Sequence, residues 1–549
     1  MRRILAAALS IPALLGAISC GPEPAARWWS DVRWLADDAR EGRGTGTPGY
    51  LAAARYVAYR FREAGAKPAG DDGYFQPVRF VRRQIREPEC LLALVQDGRV
   101  RLLTLGDDAY FRVEADAPES LEADAVFVGY GLVVPEYGYD DLRGLDLRGR
   151  IAVCLRGGPS LLPDDVRAHA MSGGERWRRL HDAGAIGYAL VSNPRRGGFP
   201  WARARLARLS PAFSLADTAL DENHGRRFGL SMNPARAERF FAGSGHTFAE
   251  ILDRDMRGEP LPRFPLAARI RARVIVDRRE VTCPNVVGII EGGDSTLRRQ
   301  AVVLSAHLDH LGIGAPVRGD SIYNGAMDNA SGVATLIEIA RGLGAPGHRP
   351  RRSVVLLAVT GEEEGLLGSR AFAARPTIGD REIVADVNLD MFLPIVPLRS
   401  LIDYGGDQSD LGAWFRATAE SSGVRIAPDP DPRRAYFVRS DQYSFVRAGV
   451  PSVFVEFGPT GNPFLDRRVE RWNRERYHAP SDDARQPVDF GAAAEFNRIF
   501  LAFARDVADR AERPRWRADS FFRKFAGGGA ALASSRPARP ARPAKAGAR

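Results

Sequence analysis

Cysteine is scarce. The chain has four cysteines in 549 residues, none in a Cys-x-x-Cys spacing, which argues against both a disulfide framework and a cysteine zinc site. Without Cys20, at the end of an apolar N-terminal stretch, Cys90, Cys154 and Cys283 remain and allow one bridge at most. Cys90 and Cys283 flank the inserted segment described below and are the best-placed pair. Long apolar runs are also missing: no internal stretch is long enough to span a bilayer. There is no RNA or DNA motif, so the net charge of +10, carried by scattered arginine and a basic C-terminal stretch, reads as surface charge rather than a nucleic-acid site. The one glycine-rich segment, Glu41 to Gly49, lacks a preceding strand and a Gly-Lys-Ser/Thr ending. It therefore reads as a structural turn, not a phosphate cradle.

What is present is an ordinary globular balance, 45% hydrophobic and 27% charged, in a chain longer than one core supports. A large domain with at least one smaller one is expected. At the N-terminus Arg2 and Arg3 precede an apolar stretch from Ile4 to Ile18, too short to span but suited to a signal-peptide core. Ala17-Ile18-Ser19-Cys20 resembles the lipobox of bacterial lipoproteins. That implies cleavage before Cys20 and a lipid anchor on its thiol; a secreted protein cleaved nearby is the alternative, and both lie outside the cytoplasm.

Helical spacing of Leu51, Ala54, Val57, Ala58 and Phe61 predicts helix, turn and helix over residues 28–66. From 95 to 267 short strands and turns dominate, as in Ala125-Val126-Phe127-Val128 and Ile151-Ala152-Val153-Cys154-Leu155. This stretch looks like a protease-associated module set into the larger domain. After Asn285, short continuous apolar runs alternate with helical segments, which predicts an α/β fold with a mostly parallel sheet sandwiched between helices. The expected organisation is a signal peptide 1–20, the main domain 21–94 and 268–510, the β-rich insert 95–267, and a disordered Arg/Pro/Ala-rich tail 511–549.

Polar residues fall where those strands end. His307 and Asp309 follow the run ending at Ser305, Glu362 and Glu363 follow Val359, and Asp390 follows Leu389. The C-terminal ends of parallel strands are the ligand-binding edge of an open sheet. Asp328 stands at a helix start, where an acid is ordinarily a cap, and His478 lies in a later loop. Capping does not explain recurrence at three strand ends. Two histidines and three carboxylates form a donor set that suits zinc, and a carboxylate shared by two ions would let both act on one water. On extended chain Asp309 would point the same way as His307 and accept a hydrogen bond from its imidazole.

Ser305-Ala306-His307-Leu308-Asp309-His310-Leu311-Gly312, Asn324 to Gly332, Thr360-Gly361-Glu362-Glu363-Glu364-Gly365, Asn388-Leu389-Asp390-Met391, Ser440-Asp441-Gln442 and Tyr477-His478-Ala479-Pro480-Ser481-Asp482 resemble, in chain order, the zinc aminopeptidases of clan MH. The resemblance covers roughly 28–90 and 280–505. It implies two zinc ions, with cobalt as a substitute: His307 and Asp390 on one, Glu363 and His478 on the other, Asp328 between them. It also implies Glu362 as general base, Asp309 in the catalytic set, and a cis peptide after Asp328. Met327 stands where a second Asp is frequent and Gln442 where several members have His; neither is a ligand position.

The expectation is hydrolysis of the first peptide bond of peptides with a free N-terminus, by a metal-bridging water activated by Glu362. Three readings stay open: a carboxypeptidase of the glutamate carboxypeptidase type, for which Arg433, Arg434 and Arg439 could supply a basic pocket; a glutaminyl cyclase-like transferase; and an inactive binding or receptor ectodomain.

Overall fold

The computed structural model describes residues 24–527 apart from 114–115, 198–199 and 348. The signal segment with Cys20, and residues 528–549 of the tail, lie outside the described residues.

Helix α1 (Pro24–Leu35) and helix α2 (Pro48–Glu63) form where the apolar spacing places them. Thr47 caps α2 by accepting the Tyr50 N–H, and Pro48 occupies the first turn, where no N–H is needed. Between the helices the glycine-rich segment is a structural turn. Gly42 has φ 62°, and a Cβ there would stand 2.4 Å from the carbonyl oxygen of Tyr323, so only glycine fits.

The main sheet has ten strands. Its principal members are β1 (Phe75–Ile85), β2 (Val276–Ile290), β3 (Gln300–His307), β4 (Ser353–Val359), β5 (Glu382–Asn388), β6 (Ser400–Tyr404) and β7 (Ser452–Phe457). In space they run β1-β2-β4-β3-β5-β7-β6. The four central strands β4, β3, β5 and β7 are parallel neighbours, as the continuous apolar runs predict. The flanks run antiparallel, so the sheet as a whole is mixed.

Every residue of β4 is buried because helices cover both faces. Val354, Leu356 and Ala358 pack with residues of α1, α2, α3 (Ser331–Gly344) and α4 (Phe490–Asp509), including Trp28, Phe61, Leu336 and Phe496. Val355, Leu357 and Val359 face the other way, toward Phe372 and Phe445. This is the period-two division of a strand buried on both sides.

The insert carries a six-stranded sheet and a four-stranded sheet. Strands Leu91–Gln96 and Arg269–Arg273, at its two ends, pair with each other. It also lends strand Ala212–Leu215 to the edge of the main sheet, against β1.

Two expectations need correction. Cys90 and Cys283 do not pair; both are free. Cys283 Sγ accepts from Gly46 N and Thr360 Oγ1, while Cys90 Sγ accepts from Ile275 N. Residues 511–527, expected to be disordered, pack on the main domain: Phe522 is 1% exposed and meets Phe437 edge-on, with ring centres 5.2 Å apart. Aromatic residues among the arginines give this stretch apolar area to bury, which the overall composition hid. Among the described residues no helix is long and apolar enough to cross a membrane.

Candidate metal centre

The parallel strands deliver the polar residues to one edge. β3 ends in His307, Glu362 and Glu363 follow β4 through Gly361 at φ 65°, and Asp390 comes two residues after β5. Asp328 sits in the turn Ala326–Ala330 that leads into α3, and its peptide bond to Asn329 is cis. His478, at φ 54°, comes from the loop after helix Pro463–Glu475.

Asp328 stands between two groups. Its Oδ1 lies 3.2 Å from His307 Nε2, which is 3.1 Å from Asp390 Oδ1. Its Oδ2 lies 3.1 Å from His478 Nε2, which is 3.4 Å from Glu363 Oε2. Ligand atoms about 2.0–2.1 Å from a tetrahedral zinc ion stand about 3.3–3.4 Å apart. Both groups have that spacing and the mixed nitrogen and oxygen donors that suit zinc, so the residues present fit a metal ion in either group. The sequence reading named all five of these residues, and the fold brings all five together.

His310 was quoted in the motif but given no role. It is buried, and its Nδ1 stands 2.8 Å from Glu363 Oε1, the carboxylate oxygen turned away from His478, and 3.9 Å from Asp328 Oδ2. The first distance is that of a hydrogen bond, and a carboxylate acceptor requires the Nδ1–H tautomer. His310 therefore orients Glu363, although with Asp328 and Glu363 it also has a geometry that could hold an ion. The repeated histidine in His-Leu-Asp-His was the available signal.

Asp309 differs from expectation. β3 ends at His307, so the chain is no longer extended at Asp309, and His307 Nδ1 meets the backbone oxygen of Asp309 at 3.0 Å rather than its carboxylate. The carboxylate accepts the N–H groups of Glu362 at 3.1 Å and Glu363 at 3.3 Å, and the Thr45 hydroxyl. It fixes the loop that presents both glutamates. Asp482 does the same for the Asp328 turn, accepting Met327 N and Asp328 N at 3.0 and 3.1 Å. Ser440 donates to Asp390 Oδ2 at 2.6 Å. None of these second contacts was legible as spacing.

Glu362 lines the same pocket as the five donors. Burial pushes its carboxyl well above the usual range; Glu363 and Asp390 add to this while His307 opposes it. Such a group takes up a proton readily and ionises when positive charge is placed nearby. The two departures from the motif are structural. Met327 packs with Leu393, Ile395 and Trp472, and Gln442 is buried, bridging Asn388 Nδ2 to the backbone oxygens of Tyr436 and Phe437. Of the three arginines proposed for a basic pocket, Arg439 alone lines this one; Arg433 and Arg434 pair with Asp431.

Residues 285–504 match the model of peptidase family M28. The chain is similar, at 29% identity over 199 residues, to a vacuolar membrane protease of Sclerotinia sclerotiorum; the match covers 34% of this chain and 15% of that protein. It is 26% identical over 362 residues to a probable glutamate carboxypeptidase VP8 of Zea mays, covering 59% of this chain and 44% of the relative. The chain thus spans less than half the length of these curated relatives. Among solved structures, the aminopeptidase from Aneurinibacillus sp. strain AM-1 superposes with a TM-score of 0.53 at 18% identity, over 89% of this chain and 95% of that one. That likeness is one of fold.

Proposed function

We propose that the protein is an exported zinc aminopeptidase that binds two ions and hydrolyses the N-terminal peptide bond of peptides. The observation that carries this reading is Asp328, whose two oxygens face separate donor groups, His307 with Asp390 and His478 with Glu363. Those residues would hold the ions. Bound zinc would lower the pKa of a water and polarise the scissile carbonyl. Glu362, in the same pocket and otherwise uncommitted, takes the proton from the attacking water and returns it to the leaving amine. Asp309 keeps Glu362 and Glu363 in place through their backbone amides, and Ser440 holds Asp390.

Export rests on the N-terminal apolar stretch, with a lipid anchor on Cys20 and the insert serving as a protease-associated module. Cys20→Ser is expected to release the protein from membranes with activity intact; equal membrane retention would exclude the anchor.

A carboxypeptidase is the second reading, favoured by Arg439 in the pocket and by the maize relative. Aminoacyl substrates and N-blocked peptides with free carboxyl ends, assayed with and without chelator alongside measured zinc content, separate the two. Chelator-sensitive cleavage of aminoacyl substrates alone supports the aminopeptidase, cleavage of N-blocked peptides the carboxypeptidase, and a protein without zinc or activity the binding module.

A further inference from the structure

One acid in the pocket has no part in the chemistry above. Glu456 lies on β7, in register with Ile402 of the antiparallel neighbour β6, and lines the pocket of about 300 Å³ that also holds the metal donors and Glu362. Its Oε2 accepts a hydrogen bond from the Tyr404 hydroxyl at 3.0 Å. Among the described residues no arginine, lysine or histidine pairs with it. Arg434 is engaged by Asp431 and the Tyr436 hydroxyl. Arg439, on the pocket wall, places its guanidinium 5.5 Å from the centre of the Tyr436 ring.

The surroundings are aromatic. Tyr404 stacks on Phe454 with ring centres 5.2 Å apart and meets Tyr436 at 5.1 Å; Phe454, Tyr436, Val438 and Met391 line the pocket with Glu456. A carboxylate without a counter-charge is costly in such a place. Burial, and then Asp390, push the Glu456 carboxyl up to about 8, against the Tyr404 hydrogen bond and the more distant charge of Arg434; a cation bound beside it favours the ionised form. A carboxylate set beside aromatic faces and aliphatic side chains is the chemistry that recognises a cation on an apolar stem.

We infer that Glu456 is a specificity-determining residue, which accepts the cationic side chain of a lysine or arginine at the first position of the peptide. The inference rests on the aminopeptidase reading. The α-ammonium group of a substrate stays close to the reacting carbonyl, whereas the charge of a lysine or arginine side chain is carried at the end of a long stem. Glu456 lines the same pocket, and Met391 and Val438 on its wall offer apolar surface to the aliphatic part of that stem.

The test compares kcat/KM for Lys-, Arg-, Leu- and Met-aminoacyl substrates on the zinc-loaded full-length protein and on Glu456→Gln, which keeps the shape and the Tyr404 hydrogen bond. The wild type is expected to favour Lys and Arg at least tenfold over Leu and Met. In Glu456→Gln that preference is expected to fall at least tenfold, with Leu turnover changed less than threefold. A wild type active on Leu but without preference for Lys or Arg overturns the inference and leaves the aminopeptidase reading standing, and this arm needs no variant to fold. Equal loss on all four substrates overturns it in favour of a role toward the α-ammonium group. No cleavage of any aminoacyl substrate overturns both.

Discussion

Arg43 Nη2 donates to the carbonyl oxygen of Gly325 at 2.8 Å, tying the turn after α1 to the segment that carries Asp328. The same fully buried guanidinium donates to the backbone oxygens of Leu35, Leu308 and Asn324. One side chain thus gathers the loops behind His307 and Asp328. Burial lowers its pKa to about 10, against the pull of Asp482 and Asp328, so it stays charged at neutral pH.

Arg43→Met is expected to leave the buried carbonyl groups of Leu35, Leu308 and Asn324 without donors, while Gly325 keeps the Ala330 N–H. At about 1–3 kcal/mol for each buried acceptor left unpaired, the loss of stability should be at least about 3 kcal/mol. Denaturant unfolding of the zinc-loaded protein measures it, and zinc content should fall in parallel. A loss under about 1 kcal/mol would show that water replaces the guanidinium.

Glu362 and Glu363 are adjacent and chemically alike, yet they differ in contacts. Glu362→Gln is expected to keep near-stoichiometric zinc and lose about 10²–10⁴ in kcat, the contribution of a positioned general base. Glu363→Gln is expected to lose zinc and regain part of its activity in excess metal. Equal zinc loss in both variants, or near-normal turnover of Glu362→Gln, would reverse or remove the assignment.

His310→Phe fills the same space without the hydrogen bond to Glu363. Metal affinity at the group containing Glu363 is expected to weaken roughly 10–100-fold, as for other hydrogen-bond partners of metal ligands, while the group of His307 and Asp390 retains its ion. Competitive zinc titration reads both. Loss of a full equivalent at saturating zinc would instead make His310 a ligand.

The insert meets the main domain at His169, whose Nδ1 lies 2.5 Å from the Tyr443 hydroxyl with Phe521, Phe522 and Phe525 around the ring. Burial lowers its pKa to about 4, with Lys524 and Arg447 acting the same way and Glu175 and Glu136 opposing. The unfolded chain takes up this proton near pH 6.5 and the native protein only near 4. Stability is therefore unaffected by this group above about pH 6.5 and falls as pH drops toward 4, by roughly 3 kcal/mol in all. His169→Gln, which does not titrate, should flatten that part of the curve of stability against pH; an unchanged slope would assign the acid sensitivity to other groups.

Much of the site is legible in the sequence. Continuous apolar runs identified β3, β4 and β5, and the residues after them had to share one edge, because parallel strands end together. What the pattern could not carry was direction within the loops. Asp309 was expected to reach the His307 ring, but the strand stops one residue too early, and its carboxylate turns to the amides of Glu362 and Glu363 instead.

The sequence by itself determined the α/β class, the central parallel strands and which polar residues follow their ends, since hydrophobic period and strand-end chemistry are local and survive in one dimension. Tertiary structure alone decided which oxygen of Asp328 faces which histidine, that His310 and Arg43 serve the site, that Cys90 and Cys283 stay apart, and that Glu456 shares the pocket with Glu362. Those contacts join residues tens to hundreds of positions apart. Their distances depend on how helices and loops pack around the sheet, which no local spacing encodes.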